Sequence, residues 1–126
     1  MATILVVDDE VAVLFVLSEL LRRQGHTVIP VQEALRASEM CQTYPDPIDL
    51  LLTDIVMPGI NGVALAKQLQ AMRPNMKVLY TSGYGNTALE NRGATANLPV
   101  IAKPCDADEL SKHVQRALVP GHQATD

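Results

Sequence analysis

The sequence has no apolar run long enough to cross a bilayer, although hydrophobic residues make up 48% of its 126 positions. It has no signal-peptide pattern either. No basic region precedes Thr3 to Val7, which leads straight into Asp8-Asp9-Glu10. Both absences point to a soluble, cytoplasmic protein with no membrane partner. Cysteine is scarce: Cys41 and Cys105 lie far apart and outside any Cys-x-x-Cys spacing, which suits reduced thiols rather than a disulfide scaffold. Clusters of Lys and Arg are missing and the net charge is −4, which argues against nucleic acid as a partner. His26, His113 and His122 show no metal-ligand spacing and read as surface residues. No internal repeat or low-complexity segment interrupts the chain, whose length fits one domain with a real core.

What is present centres on the stretch from Ile48 to Gly62. Ile48 to Leu52, interrupted only by Asp49, has the length of a strand buried on both faces, and the strand ends on a carboxylate, Asp54. Pro58-Gly59 and Asn61-Gly62 then break the chain before a helical pattern. Taken in order, strands are expected at Ile4–Val7, His26–Val31, Ile48–Asp54, Met76–Thr81 and Leu98–Ala102. Helices are expected at Val11–Gln24, stopped by Gly25, at Gln32–Thr43, and at Val63–Met72, with Leu65, Leu69 and Met72 at core spacing. A short helix is expected at Asn86–Arg92. A last helix is capped by Asp106, with Glu109 completing a capping box and Leu110, Val114 and Leu118 forming its apolar stripe. Five β-α units in strict alternation predict an α/β fold, a parallel sheet with helices on both faces and right-handed crossovers. Residues 1–119 read as one domain with no room for a second, and 120–126 as a frayed polar tail.

Four strand ends carry polar residues that converge at one edge of such a sheet: Asp8-Asp9, Asp54, Ser82 and Lys103. Packed carboxylates repel one another unless a cation intervenes. A hard divalent ion such as Mg²⁺ takes oxygen ligands and keeps several waters. A lysine and a hydroxyl nearby would bind the remaining oxygens of a phosphoryl group, which is the arrangement phosphoryl transfer needs. Asp8-Asp9 alone would read as an acidic cluster favoured by a helix N-terminus. Ser82 alone would read as a hydroxyl serving a Gly-rich loop.

Together, Asp8-Asp9, Leu52-Thr53-Asp54-Ile55-Val56-Met57-Pro58-Gly59, Thr81-Ser82-Gly83-Tyr84 and Lys103-Pro104 resemble the receiver domain of two-component response regulators, from Ile4 to Leu118. The resemblance implies a flavodoxin-like (βα)5 three-layer sandwich with strand order 2-1-3-4-5. It implies Asp54 as phospho-acceptor from the phosphohistidine of a histidine kinase or phosphotransfer protein. Asp9 and Asp8 would hold Mg²⁺ with Asp54 and the backbone carbonyl of Val56. Ser82 and Lys103 would bind the phosphoryl group, Gly83 would keep the approach open, and Lys103-Pro104 would be cis. The output would run through protein contact, from a monomer or weak dimer that turns over no external substrate. The fourth-strand loop is most similar to receivers of hybrid sensor kinases or free-standing regulators. Two departures stand out: Val100 replaces the usual aromatic switch residue, and Cys105 replaces the usual Phe, where it reads as a small packing residue.

On a helical wheel, Val13, Val16, Leu17, Leu20 and Leu21 share the face expected to cover the sheet. Val11 and Phe15 point away, with Leu14 at the margin, beside the expected site. This is either a docking surface for a partner helix or the edge of a broad core stripe. Three rival functions follow from the same residues. A phosphohydrolase with an aspartate nucleophile would carry a second acid two residues on, where this chain has Val56. A flavodoxin-like cofactor binder would want a phosphate loop where three acids stand. A degenerate receiver acting only as an interaction module would dispense with the acids and the lysine.

Overall fold

The computed structural model describes residues 2–82, 100–102 and 106–119. The chain runs β1 (Thr3–Val7), α1 (Val11–Arg23), β2 (Thr27–Val31), α2 (Ala34–Thr43), β3 (Leu50–Asp54), α3 (Gly62–Met72), β4 (Lys77–Ser82), β5 (Val100–Ala102) and α4 (Ala107–Leu118). All strand pairings are parallel, in the order β2-β1-β3-β4-β5, as expected. The expected helix at Asn86–Arg92 and the Lys103-Pro104 bond lie outside the described residues, as do Gly83, Cys105 and residues 120–126. Among the described residues no helix is long and apolar enough to cross a membrane.

The strands form where the sequence concentrates apolar residues, and β3 is buried along its whole length. Its leucines Leu50, Leu51 and Leu52 alternate between two cores, and burying each contributes about 1.5–3 kcal/mol. Leu50 and Leu52 join Ile4, Val6 and Leu79 under α1 and α4. Leu51 joins Leu5, Val7 and Val78 under α2 and α3. The odd residue in the apolar run, Asp49, is exposed at the amino end of the sheet, where its Oδ2 accepts the Thr3 N–H at 2.8 Å.

Local chemistry sets the helix ends. Gly25 takes φ +94°, which a glycine adopts freely, and α1 closes in a Schellman pair: Gly25 N–H to Arg22 C=O at 3.0 Å, His26 N–H to Leu21 C=O at 3.1 Å. The Asn61 side chain accepts the Val63 N–H at the start of α3, and Asp106 accepts the Glu109 N–H at the start of α4. Arg73, just past α3, donates to the carbonyls of Cys41 and Asp46 at 2.9 and 2.8 Å and to that of Tyr44. One guanidinium thereby ties the end of α2 and its loop to α3. Cys41 beneath it is a buried free thiol whose pKa burial pushes up, against the opposing pull of the Arg73 guanidinium.

Several expectations are corrected. Gln32 and Glu33 precede α2 rather than opening it, because Glu33 is extended. Met72, expected in the core, is 40% exposed. The buried set of α3 is Gly62, Leu65, Ala66 and Leu69, and Met72 lies in the final turn before the chain leaves. On α1 the phase of the wheel shifts. Leu14, Leu17, Ser18 and Leu21 are buried, so Leu14 belongs to the core at 7% exposure. Val16, expected inside, is 51% exposed, beside Val11 at 64% and Phe15 at 65%. Ser18, at 2% exposure, takes a core place on this face, and its hydroxyl has no hydrogen-bond partner among the described residues. His26, expected at the surface, is half-buried and its Nδ1 accepts the Ala2 N–H at 3.1 Å.

Candidate functional site

The carboxyl ends of β1 and β3 each deliver an acid into the same space. Asp8 follows β1, where its N–H donates to Val31 C=O at 3.2 Å, and it is fully buried. Asp54 ends β3 and is 5% exposed. One carboxylate oxygen of each accepts a backbone N–H two residues on: Glu10 N–H to Asp8 at 2.9 Å, Val56 N–H to Asp54 at 3.2 Å. Those bonds aim both side chains and leave further lone pairs on each carboxylate. Glu10 joins them, and one oxygen from each of Asp8, Glu10 and Asp54 lies within 4.8 Å of the others.

The loop after Asp54 is held as tightly as the acids. Gly59, behind Pro58, takes φ +82°, a conformation glycine adopts without strain. Val56 pairs with Asn61 across the loop, and Gly62 N–H donates to Ile55 C=O at 2.7 Å. At Gly62 α3 passes so close to β3 that a methyl group would run into the backbone carbonyl of Asp54. Gly62 therefore sets the backbone beneath the acid.

The expected site residues fall into three groups. Asp8 and Asp54 are together, and Ser82 ends β4, buried at 2% exposure. Val56 stands next to Asp54 with its side chain turned outward, 40% exposed. Asp9 is exposed and stands outside the three-acid group, on the rim of a groove of about 520 Å³ lined by Glu33, Leu35, Met57, Pro58 and Ile60. Lys103 lies outside the described residues. Sequence reasoning missed two residues. Glu10 read as part of an acidic run, and Gly62 read only as a helix breaker. A run of three acids after a strand is the signal that could have included Glu10. Nothing local marks Gly62, because its constraint comes from another strand.

A hard divalent cation fits this donor set. Mg²⁺ takes oxygen ligands, and Asp8, Glu10 and Asp54 each offer a carboxylate oxygen within 4.8 Å of the others. Three acids so close repel one another, and a divalent cation would offset that repulsion.

The sequence pattern of the response regulator receiver domain matches residues 4–115. The DNA-binding transcriptional regulator NtrC of Azospirillum brasilense is 38% identical over 122 residues, 93% of this chain and 24% of that protein. The response regulator receiver protein CpdR of Brucella abortus (strain 2308) is 29% identical over 120 residues, 94% of this chain and 98% of that protein. The crystal structure of the receiver domain from hybrid histidine kinase CckA superposes with a TM-score of 0.76 at 31% identity, covering 92% of this chain and 98% of the other. The chain spans only 12% to 27% of the length of several longer relatives it matches.

Proposed function

This chain is a response regulator receiver domain of two-component signalling, and from that premise we propose that Asp54 accepts a phosphoryl group from a phosphohistidine. The receiver family works as a signalling module that meets histidine kinases or phosphotransfer proteins, and the rival readings as a phosphohydrolase or cofactor binder are not favoured. The observation that carries the proposal is the buried Asp54 carboxylate held beside Asp8 and Glu10 at the carboxyl edge of the sheet.

In the transfer, one Asp54 oxygen forms a bond to phosphorus as the P–N bond of the donor imidazole breaks. The electron pair stays on the departing nitrogen, which takes up a proton. Asp54 is held for in-line attack by the Val56 N–H on its Oδ1 and by the tight Gly62 packing beneath its backbone. Asp8, Asp54, an acid of the Asp9-Glu10 pair and the Val56 carbonyl are the proposed Mg²⁺ ligands. When bound, the ion supplies positive charge against the oxygens on which charge gathers. Ser82 donates a hydrogen bond to one phosphoryl oxygen and Lys103 pairs with another. The domain, residues 1–119 with 120–126 as tail, turns over no external substrate and acts in the cytoplasm through protein contact.

The phosphohistidine donor is proposed to dock a helix on the outer face of α1. Leu14 drops out of that surface because it is buried, and Val16 enters it beside Val11 and Phe15. Val11 follows directly on Glu10, so the patch borders the acids. Phe15→Glu should slow transfer from a protein donor and spare phosphorylation by a small acyl phosphate. Equal loss with both donors would make Phe15 a structural residue.

The test of the function is intact mass after incubation with a small acyl-phosphate donor, with and without Mg²⁺. A Mg²⁺-dependent gain of one phosphoryl group in the wild type, absent in Asp54→Asn, is the expected result. A folded wild type that gains nothing would leave an interaction-only module.

A further inference from the structure

In parallel strands, residues paired in register place their side chains on the same face of the sheet. Asp54 pairs with Thr81, and Thr81 with Ile101. Two residues earlier on the same face, Leu52 pairs with Leu79, and both belong with Ile101 to the apolar core under α1 and α4. Thr81 therefore stands between the acceptor aspartate and a core isoleucine. It is 1% exposed, and its Oγ1 has no hydrogen-bond partner among the described residues. The neighbouring Thr53 hydroxyl, by contrast, donates to the Asp54 backbone carbonyl at 3.1 Å.

An orphaned hydroxyl at such a place is costly, because it has left water without gaining a partner. Valine has the same shape and the same liking for a strand, and would avoid that penalty. Phosphorylation of Asp54 changes what lies beside Thr81. The carboxylate becomes an acyl phosphate and brings three new acceptor oxygens to this end of β3.

We propose that Thr81 is a positioning residue for the phosphorylated state, its hydroxyl hydrogen-bonding the phosphorylated Asp54 side chain and holding it in one orientation. The inference rests on the receiver reading. It concerns the lifetime of the phosphoryl group, which is lost when water forms a new P–O bond and the bond to Asp54 breaks, returning carboxylate and inorganic phosphate. Holding the acyl phosphate against Thr81 keeps it out of line with that water.

The experiment compares wild type, Thr81→Val and Thr81→Ser. Each is phosphorylated by a small acyl phosphate with Mg²⁺ and freed of donor, and loss of the phosphoryl group is followed by intact mass. Thr81→Val should shorten the half-life about tenfold, the rate equivalent of one hydrogen bond, and Thr81→Ser should restore it. Urea unfolding of the unphosphorylated proteins separates this role from a structural one, since Thr81→Val should be at least as stable as wild type. A half-life within twofold of wild type in Thr81→Val would overturn the inference and leave the receiver reading intact. So would a marked loss of resting stability, which would mean the hydroxyl already has a partner. A wild type that takes up no phosphoryl group would overturn both.

Discussion

One aspartate precedes β3 and another ends it, on either side of three buried leucines, and the chain treats them in opposite ways. Asp49, at the amino end, is exposed and accepts the Thr3 N–H, closing the edge of the sheet between β1 and β3. Asp54, at the carboxyl end, is buried and grouped with Asp8 and Glu10. Water screens the first charge, so its placement costs little. Burying the second beside two further acids carries a desolvation and repulsion cost that its other contacts must offset. The acid at the exposed end serves the backbone, whereas the acid at the buried end joins a group of three carboxylates.

The largest effect that would break this contrast is at Gly62. Alanine there drives a methyl group into the Asp54 carbonyl, so α3 or the end of β3 must move. Gly62→Ala should lose about 3 kcal/mol in urea unfolding and most of its phosphorylation by an acyl phosphate. A variant that keeps both would show that α3 can shift away without disturbing Asp54.

Neutralising one acid at each end sharpens the comparison. Asp8→Asn should raise the Mg²⁺ concentration needed for half-maximal phosphorylation about tenfold or more. Asp49→Asn should leave it unchanged, and Asp49→Ala should cost about 1 kcal/mol of stability through the lost Thr3 bond. If the Asp8 and Asp49 neutralisations shift the Mg²⁺ requirement equally, the acids act only through net charge, and the contrast between the two ends disappears.

The smallest effect is at His26, near the amino edge, where burial lowers the pKa and Nδ1 accepts the Ala2 N–H. The unfolded chain then binds a proton more readily than the folded one. Stability supported by neutral His26 is complete above the ordinary histidine pKa, about 6.5, and falls as pH drops below it. The urea midpoint should fall between pH 7.5 and pH 5.5, and His26→Gln should flatten that fall. An equal fall in the variant would assign the effect to other groups.

How far these features could be read in advance varies with the range of the interaction behind them. Alternating β and α patterns made the parallel sheet legible, and β3 with its terminal Asp54 was the clearest segment. The ends of α1, α3 and α4 were legible from Gly25, Asn61-Gly62 and Asp106, because caps and turns act over a few residues. The face of α1 was misjudged by one step. Val16 looks like a core residue and Ser18 does not, yet the packed helix buries the small serine and leaves the valine outside. Glu10 and Gly62 were underread because their roles depend on β3, far away in the chain.

By itself the sequence determined the order of elements, the parallel sheet and the polar residues at its carboxyl edge. Periodicity, turn chemistry and the placement of charge all act locally along a chain. Only the tertiary structure decided which acids share one space, which face of α1 stays exposed and which hydroxyl is stranded beside Asp54. Those depend on strand register and helix phase, set by how distant side chains pack together.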